Sequence, residues 1–342
     1  MARRPAVRLP SEPVLDIFSY GRGDPASSRP FSPAQIAQIA RTVRRAPEVM
    51  VKVTGGGKSH GAVAAHFAYI SRKGELEIET GDGQRVIGQD ATKALLSAWH
   101  LQLISGQCRW NAKTAPDARQ VKLVHNIVFS MPPPTPPNKV LAAARQFAQE
   151  KFGSEHRYAM VLHTDQASPH VHMVVRAESE FGRRLHIDKD MLRQWREDFA
   201  RAMREQGVAA NATPRVVRGK NKGKTPDPIF RAQQRGESRV LRERATSVAQ
   251  ELARTRTISD PARSKVTETR RNVTASWVRV AEALEAQGEI ELGADVRNFA
   301  KTLPRALTDR EQLATQLIEH MRTVRPRGSQ NRERGHDDDL VR

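Results

Sequence analysis

The sequence predicts an α+β domain, an antiparallel sheet with helices on one face, followed by a basic linker and a small helical C-terminal region. Three observations carry that reading. Between residues 49 and 206, strand-length apolar runs alternate with helix-period segments in the order βα(β)αβαββα. Two of the runs, residues 158–162 and 173–175, flank a polar, proline-bearing stretch at 166–169 that reads as the turn between paired strands. Past residue 213 the composition changes, with ten Lys/Arg against three Asp/Glu over residues 215–244 and frequent Gly and Pro.

Taken in order, residues 1–45 are rich in Pro, Ser and Arg and read as a basic, partly ordered arm. Within it, 32–45 has the signature of a short helix, with Ser32 as N-cap and Pro33 at the first position. The main domain is expected over 46–213. Its first strand, 49–54, runs into Gly55-Gly56-Gly57-Lys58-Ser59 and a helix near 61–71. A phosphate-binding loop would need a glycine five positions before Gly57, where Lys52 stands, so an ATP or GTP site is not indicated. A glycine loop at a helix N-terminus still suits an approach to a DNA phosphate. On the helix, Val63, Phe67 and Ile70 form the apolar stripe, while His66 and Tyr69 fall on a neighbouring face. A helical tyrosine ordinarily packs, and this segment alone favours that. A small hairpin is expected across Gly81-Asp82-Gly83, a helix over 90–104, a strand over 121–130 and a helix over 138–152. After the second hairpin come a short strand at 181–187 and a helix at 188–206, stopped by Gly207. Residues 214–245 form the basic linker, either solvated or tracking DNA. Residues 246–325 form the helical module, marked by Val273, Trp277, Val280 and Leu284, and by Leu313, Leu317, Ile318 and Met321 behind the capping box Thr308-Asp309-Arg310-Glu311. Residues 326–342 read as a disordered, mixed-charge tail.

A net charge of +19 over 342 residues points to an anionic partner, most simply nucleic acid. One cysteine, Cys108, leaves no internal disulfide and no cysteine-rich zinc site, which suits a reducing cytoplasm. No signal peptide and no membrane-length apolar run is expected.

The densest chemistry lies in residues 163–172. Strand alternation puts His170 and His172 on one face, and His163 with Asp165 on one face of the neighbouring strand. One side of a hairpin then gathers three imidazoles and a carboxylate, the outline of a metal site with an acid able to orient a ligand histidine. Three imidazoles suit Mn²⁺, Zn²⁺ or Co²⁺ better than Mg²⁺. The other histidines, His60, His66, His100 and His125 among them, have structural or surface readings; His66, one turn from Tyr69, is the one worth testing.

With those segments in hand, residues 48–213 resemble the conjugative relaxases of the MobA/VirD mobilisation family, HUH endonucleases that nick one strand at a plasmid transfer origin. Residues 66–76, running from His66 through Tyr69 to Leu76, look like the nucleophile motif. Residues 125–132 look like the second motif, and His163-x-Asp165 with Pro169-His170-x-His172 looks like the metal motif. The resemblance implies that Tyr69 attacks a DNA phosphodiester and stays on the 5′ phosphate. It implies that His163, His170 and His172 hold a divalent cation, Mg²⁺ or Mn²⁺ with Zn²⁺ also admitted. Asp165 then either fixes a ligand histidine or accepts a proton, and Ser130, Arg72 and Lys73 contact DNA. Implied partners are single-stranded origin-of-transfer DNA, relaxosome accessory proteins and a type IV secretion coupling protein. Of three tyrosines, Tyr20 lies in the arm, Tyr158 opens a strand, and none follows His172 as in the related rolling-circle initiators. Two rivals use the same residues differently: a metal-dependent phosphodiesterase with water as nucleophile, and a non-enzymatic basic DNA-binding protein.

Overall fold

A computed structural model describes residues 30–101, 121–220 and 235–324. Cys108, most of the arm, part of the linker and the C-terminal tail lie outside the described residues. The chain divides into two compact units, one spanning Phe31–Thr213 and the other formed, among the described residues, from Pro214 onward.

The first unit contains α1 (Pro33–Val43), β1 (Met50–Gly55), α2 (His60–Ile70), β2 (Ile78–Thr80), β3 (Arg85–Val86), α3 (Gln89–Ala98), β4 (Val124–Ser130), α4 (Pro137–Phe152), β5 (Tyr158–His163), β6 (His170–Arg176) and α5 (Lys189–Glu205). The strands form one antiparallel sheet in the order β1-β4-β6-β5-β2-β3. The expected α+β architecture is present.

Helices are not confined to one face, however. On the first face, Ile127, Phe129, Met160, Met173 and Val175 pack under α4 and α5. Phe129 lies 4.8 Å from Phe147 and 5.0 Å from Phe199, ring centroid to centroid. On the second face, Val63, Phe67 and Ile70 of α2, with Leu95, Leu96 and Trp99 from the α3 region, cover Val124, Ala159, Val161 and Val174. The cause is in the strands: both alternating sets of β5 and β6 are largely apolar, so both faces must be buried.

Three local expectations change. The first is the end of the arm: α1 belongs to the compact unit beginning at Phe31. Its capping box closes through Ser32 N–H to Gln35 Oε1 (2.9 Å) and Gln35 N–H to Ser32 Oγ (3.3 Å). Its buried Thr42 hydroxyl meets Thr213 Oγ1 at 2.7 Å and accepts from Asn211 Nδ2 at 3.0 Å, polar anchors that apolar periodicity does not reveal. The second is the strand expected at 181–187, where only a single bridge, Glu178 to Arg184, forms. Ser179 Oγ accepts from the Phe181 and Arg183 N–H groups and bends the chain into a turn. Third, Ser238 caps a helix that starts at Arg239, inside the expected linker.

The glycines before α2 are explained by close approach. A Cβ on Gly56 would lie 2.3 Å from the Val124 carbonyl oxygen, and one on Gly57 would lie 2.3 Å from Val63 Cγ2. Gly56→Ala is expected to destabilise the domain by about 1–3 kcal/mol, because the obstacle is backbone in a buried strand rather than a flexible side chain. Thermal melting checks this; an unchanged midpoint would refute the packing account.

The second unit contains α6 (Arg239–Thr255), α7 (Arg263–Ala286), α8 (Ile290–Lys301) and α9 (Asp309–Val324). Val273, Trp277, Val280 and Leu284 are buried as their spacing predicts. Trp277 packs on Phe299 at 5.1 Å, and its indole N–H donates to the Val217 carbonyl at 2.9 Å. The Thr308/Glu311 capping box forms at the start of α9. No helix among the described residues is long and apolar enough to cross a membrane.

Candidate active site

Strand register assembles the site. Met50, Ser130, His170 and His163 stand opposite one another across β1, β4, β6 and β5, and Lys52, Val128, His172 and Val161 form the next row on the same face. Directly paired residues share a face. The three histidines therefore converge, with one ligand nitrogen from each lying within 4.8 Å of the others. Ring centroids are 4.6 Å apart for His163 and His172, and 5.1 Å for each other pair.

Backbone carbonyls hold two of the rings. Since a carbonyl only accepts, the His163 Nε2–H donates to Ile70 O at 2.6 Å, and the His170 Nδ1–H donates to Ser168 O at 3.1 Å. These bonds fix both tautomers and leave the lone pairs on His163 Nδ1 and His170 Nε2. Burial lowers the His163 pKa. Burial, with His163 and His170 close by, pushes His172 down to about 3. Three converging imidazoles, two of them held in one tautomer, are the donor set a cation needs, so the residues present fit a divalent metal.

Asp165 sits on the turn after β5, half exposed. Its nearer partner is Arg72, with Nη2 2.5 Å from Oδ2, whereas its distance to His163 Nδ1 is 3.9 Å. The hydrogen bond from Arg72 holds this carboxyl below the usual range. The sequence assigned Arg72 to DNA; the fold also makes it the hub of the site. Its Nη2 lies 3.4 Å from His163 Nδ1, and its Cζ lies 5.5 Å from the centre of the Tyr69 ring, a cation–π distance.

The turn after α2 makes this reach. Arg72 (φ 53°) and Lys73 (φ 59°) adopt left-handed backbone before Gly74 (φ 94°). Such conformations cost side-chain-bearing residues roughly 1–2 kcal/mol each. Nothing in the residue pattern announces this strain except the glycine that closes the turn.

Tyr69 is not core: it is 55% exposed, while Val63, Phe67 and Ile70 on the same helix are fully buried. Its ring lies 6.4 Å from His172 and 6.4 Å from His66. His66 also faces His172 at 6.4 Å, with its Nε2 buried and unpartnered among the described residues. Ser130 is buried directly across from His170, and Lys73 is exposed. Lys52, two strands from His172 and so roughly 10 Å away, joins the site face although it belongs to no motif in the sequence. Its signal was the Met50/Lys52/Thr54 alternation, which marks the face of β1 that carries the site.

His125, in the stretch likened to a second motif, lies five residues along β4 from Ser130, roughly 17 Å from the triad. Its Nε2–H donates to Leu185 O at 3.1 Å, and burial pushes it down to about 4. The unfolded chain therefore takes up a proton near the ordinary imidazole pKa of ~6.5, while the folded chain does not until about pH 4. The stability this group confers is full above pH 6.5 and is lost as pH falls toward 4. His125→Gln is expected to flatten that part of the melting-temperature profile; an unchanged slope would refute the assignment.

Residues 82–208 match the family model of the MobA/VirD2-like relaxase nuclease domain. The match contains the triad, Asp165 and Ser130 and begins after Tyr69. The chain is 28% identical over 191 residues to the T-DNA border endonuclease VirD2 of Rhizobium radiobacter, covering 51% of this chain and 43% of that protein. It is 29% identical over 220 residues to the VirD2 of Agrobacterium fabrum, covering 60% and 46%. The matched stretch thus spans less than half the length of these relatives.

Proposed function

We propose that the chain is a site- and strand-specific DNA relaxase, a nickase that joins Tyr69 to the 5′ phosphate of single-stranded transfer-origin DNA during plasmid mobilisation or conjugation. The observation that carries this reading is the exposed Tyr69 ring 6.4 Å from His172, at the open edge of the triad. In the reaction, the Tyr69 oxygen attacks phosphorus and loses its proton. The P–O3′ bond breaks, and the departing oxygen takes a proton to become a free 3′ hydroxyl. One phosphodiester replaces another, so religation needs no ATP. His163, His170 and His172 would hold a divalent cation, Mg²⁺ or Mn²⁺ with Zn²⁺ compatible with the same ligands, which when bound would supply Lewis-acid polarisation of the phosphate and offset developing charge. A carboxylate paired to arginine is a weak base, which supports a positioning role for Asp165 over that of proton acceptor. Lys73, Arg72 and Lys52 are accessible to the DNA strand, and the buried Ser130 hydroxyl, across from His170, is the fourth candidate DNA contact.

In a cell, this activity belongs in the cytoplasm, with relaxosome accessory proteins and a type IV coupling protein as partners. Labelled single-stranded oligonucleotides tiled across the transfer origin, incubated with protein and Mn²⁺, should yield one SDS-stable protein–DNA product. Cleavage without an adduct would favour the water-using phosphodiesterase. Salt-sensitive binding without cleavage would favour a non-enzymatic DNA-binding protein.

A further inference from the structure

We propose that Arg72 is a positioning residue that gates cation entry: it occupies the approach to the His163 lone pair and releases it when a DNA phosphate takes the guanidinium. This rests on the metal-centre reading above. Because the His163 Nε2–H is committed to Ile70 O, Nδ1 is the ring's available donor, and Arg72 Nη2 lies 3.4 Å from it. A cation there meets a fixed positive charge at close range. Asp165, 2.5 Å from the same Nη2, offsets part of that charge and anchors the guanidinium where it stands. The Tyr69 ring, 5.5 Å from Cζ, flanks the group on the nucleophile's side.

The clamp is built into the backbone. Lys73 N–H donates to Ala68 O at 2.7 Å and Gly74 N–H to Ser71 Oγ at 3.1 Å, locking the left-handed turn that carries Arg72 back over the end of α2. A Cβ on Gly74 would fall 2.5 Å from the Gly88 carbonyl carbon, so the turn is tied to the segment leading into α3. A guanidinium binds a phosphate through two parallel N–H groups, as it binds a carboxylate. The scissile phosphate can therefore compete with Asp165 for Arg72, and moving the guanidinium onto it uncovers His163 Nδ1. Metal and DNA then bind with positive coupling, each raising the affinity for the other.

The test is Mn²⁺ titration of the full chain at low salt, reading free Mn²⁺ by electron paramagnetic resonance, with and without origin oligonucleotide in the Tyr69→Phe background. Arg72→Gln is expected to bind Mn²⁺ about threefold to tenfold more tightly without DNA and to lose most of the DNA-induced gain. Arg72→Lys keeps the charge and should stay within about twofold of the parent without DNA. A merely structural role would weaken Mn²⁺ binding in both variants. Equal or weaker binding by Arg72→Gln, with the parent binding normally, overturns the gate alone. A parent that binds no Mn²⁺ overturns the metal reading and the gate with it.

Discussion

Tyr69→Phe is expected to abolish covalent attachment to origin DNA, a loss on the order of 10³-fold or more, because no other phenol among the described residues stands at the triad. Tyr158, the other tyrosine among them, is buried, with its hydroxyl donating to Gln149 Oε1 at 3.3 Å. The substitution should leave the fold intact: Tyr69 is 55% exposed, and changes at such positions usually stay within about 0.5 kcal/mol. DNA binding and metal affinity should also persist, since the ring remains and only the attacking oxygen is lost. Denaturing gels with end-labelled oligonucleotide give the measurement. A retained adduct would remove Tyr69 from the chemistry.

His172→Ala is expected to have the second largest effect. It deletes one of three converging donors, and the two survivors make only a fraction of a coordination shell. Metal affinity should fall by at least about 10²-fold, more than the ~10–100-fold typical of losing a group that only orients a ligand. Adduct formation should fall with it, and high Mn²⁺ should restore part of the rate. His172 is only partly buried and its ring faces His163, His170 and His66, so a large loss of stability is not expected. Isothermal titration with Mn²⁺ and a melting curve separate the two effects. Undiminished metal affinity would mean that the triad is not the binding site.

The histidine cluster was legible in the sequence because a strand has period two and a hairpin fixes which residues pair; His163, His170 and His172 needed nothing more. The burial of Val63, Phe67 and Ile70 followed from helix period in the same way, and it left Tyr69 on an open face. Arg72 was not legible as a hub. Its reach depends on two consecutive left-handed residues and on the turn that carries Asp165 out of β5, and neither leaves a periodic trace. The second helical layer was legible in principle, since Ala159, Val161 and Val174 alternate with Met160, Met173 and Val175 and leave no polar face. The place of α1 was hidden, because the polar contacts of Thr42 with Asn211 and Thr213 join residues about 170 positions apart in sequence.

The central claim is that one cation held by His163, His170 and His172 sits beside the Tyr69 hydroxyl. A crystal of the Tyr69→Phe protein with Mn²⁺ and an origin oligonucleotide tests it most directly. One strong anomalous peak bonded to all three imidazoles is expected, with a DNA phosphate between that peak and the substituted ring at position 69. A peak bonded elsewhere, or a phosphate remote from position 69, would contradict it.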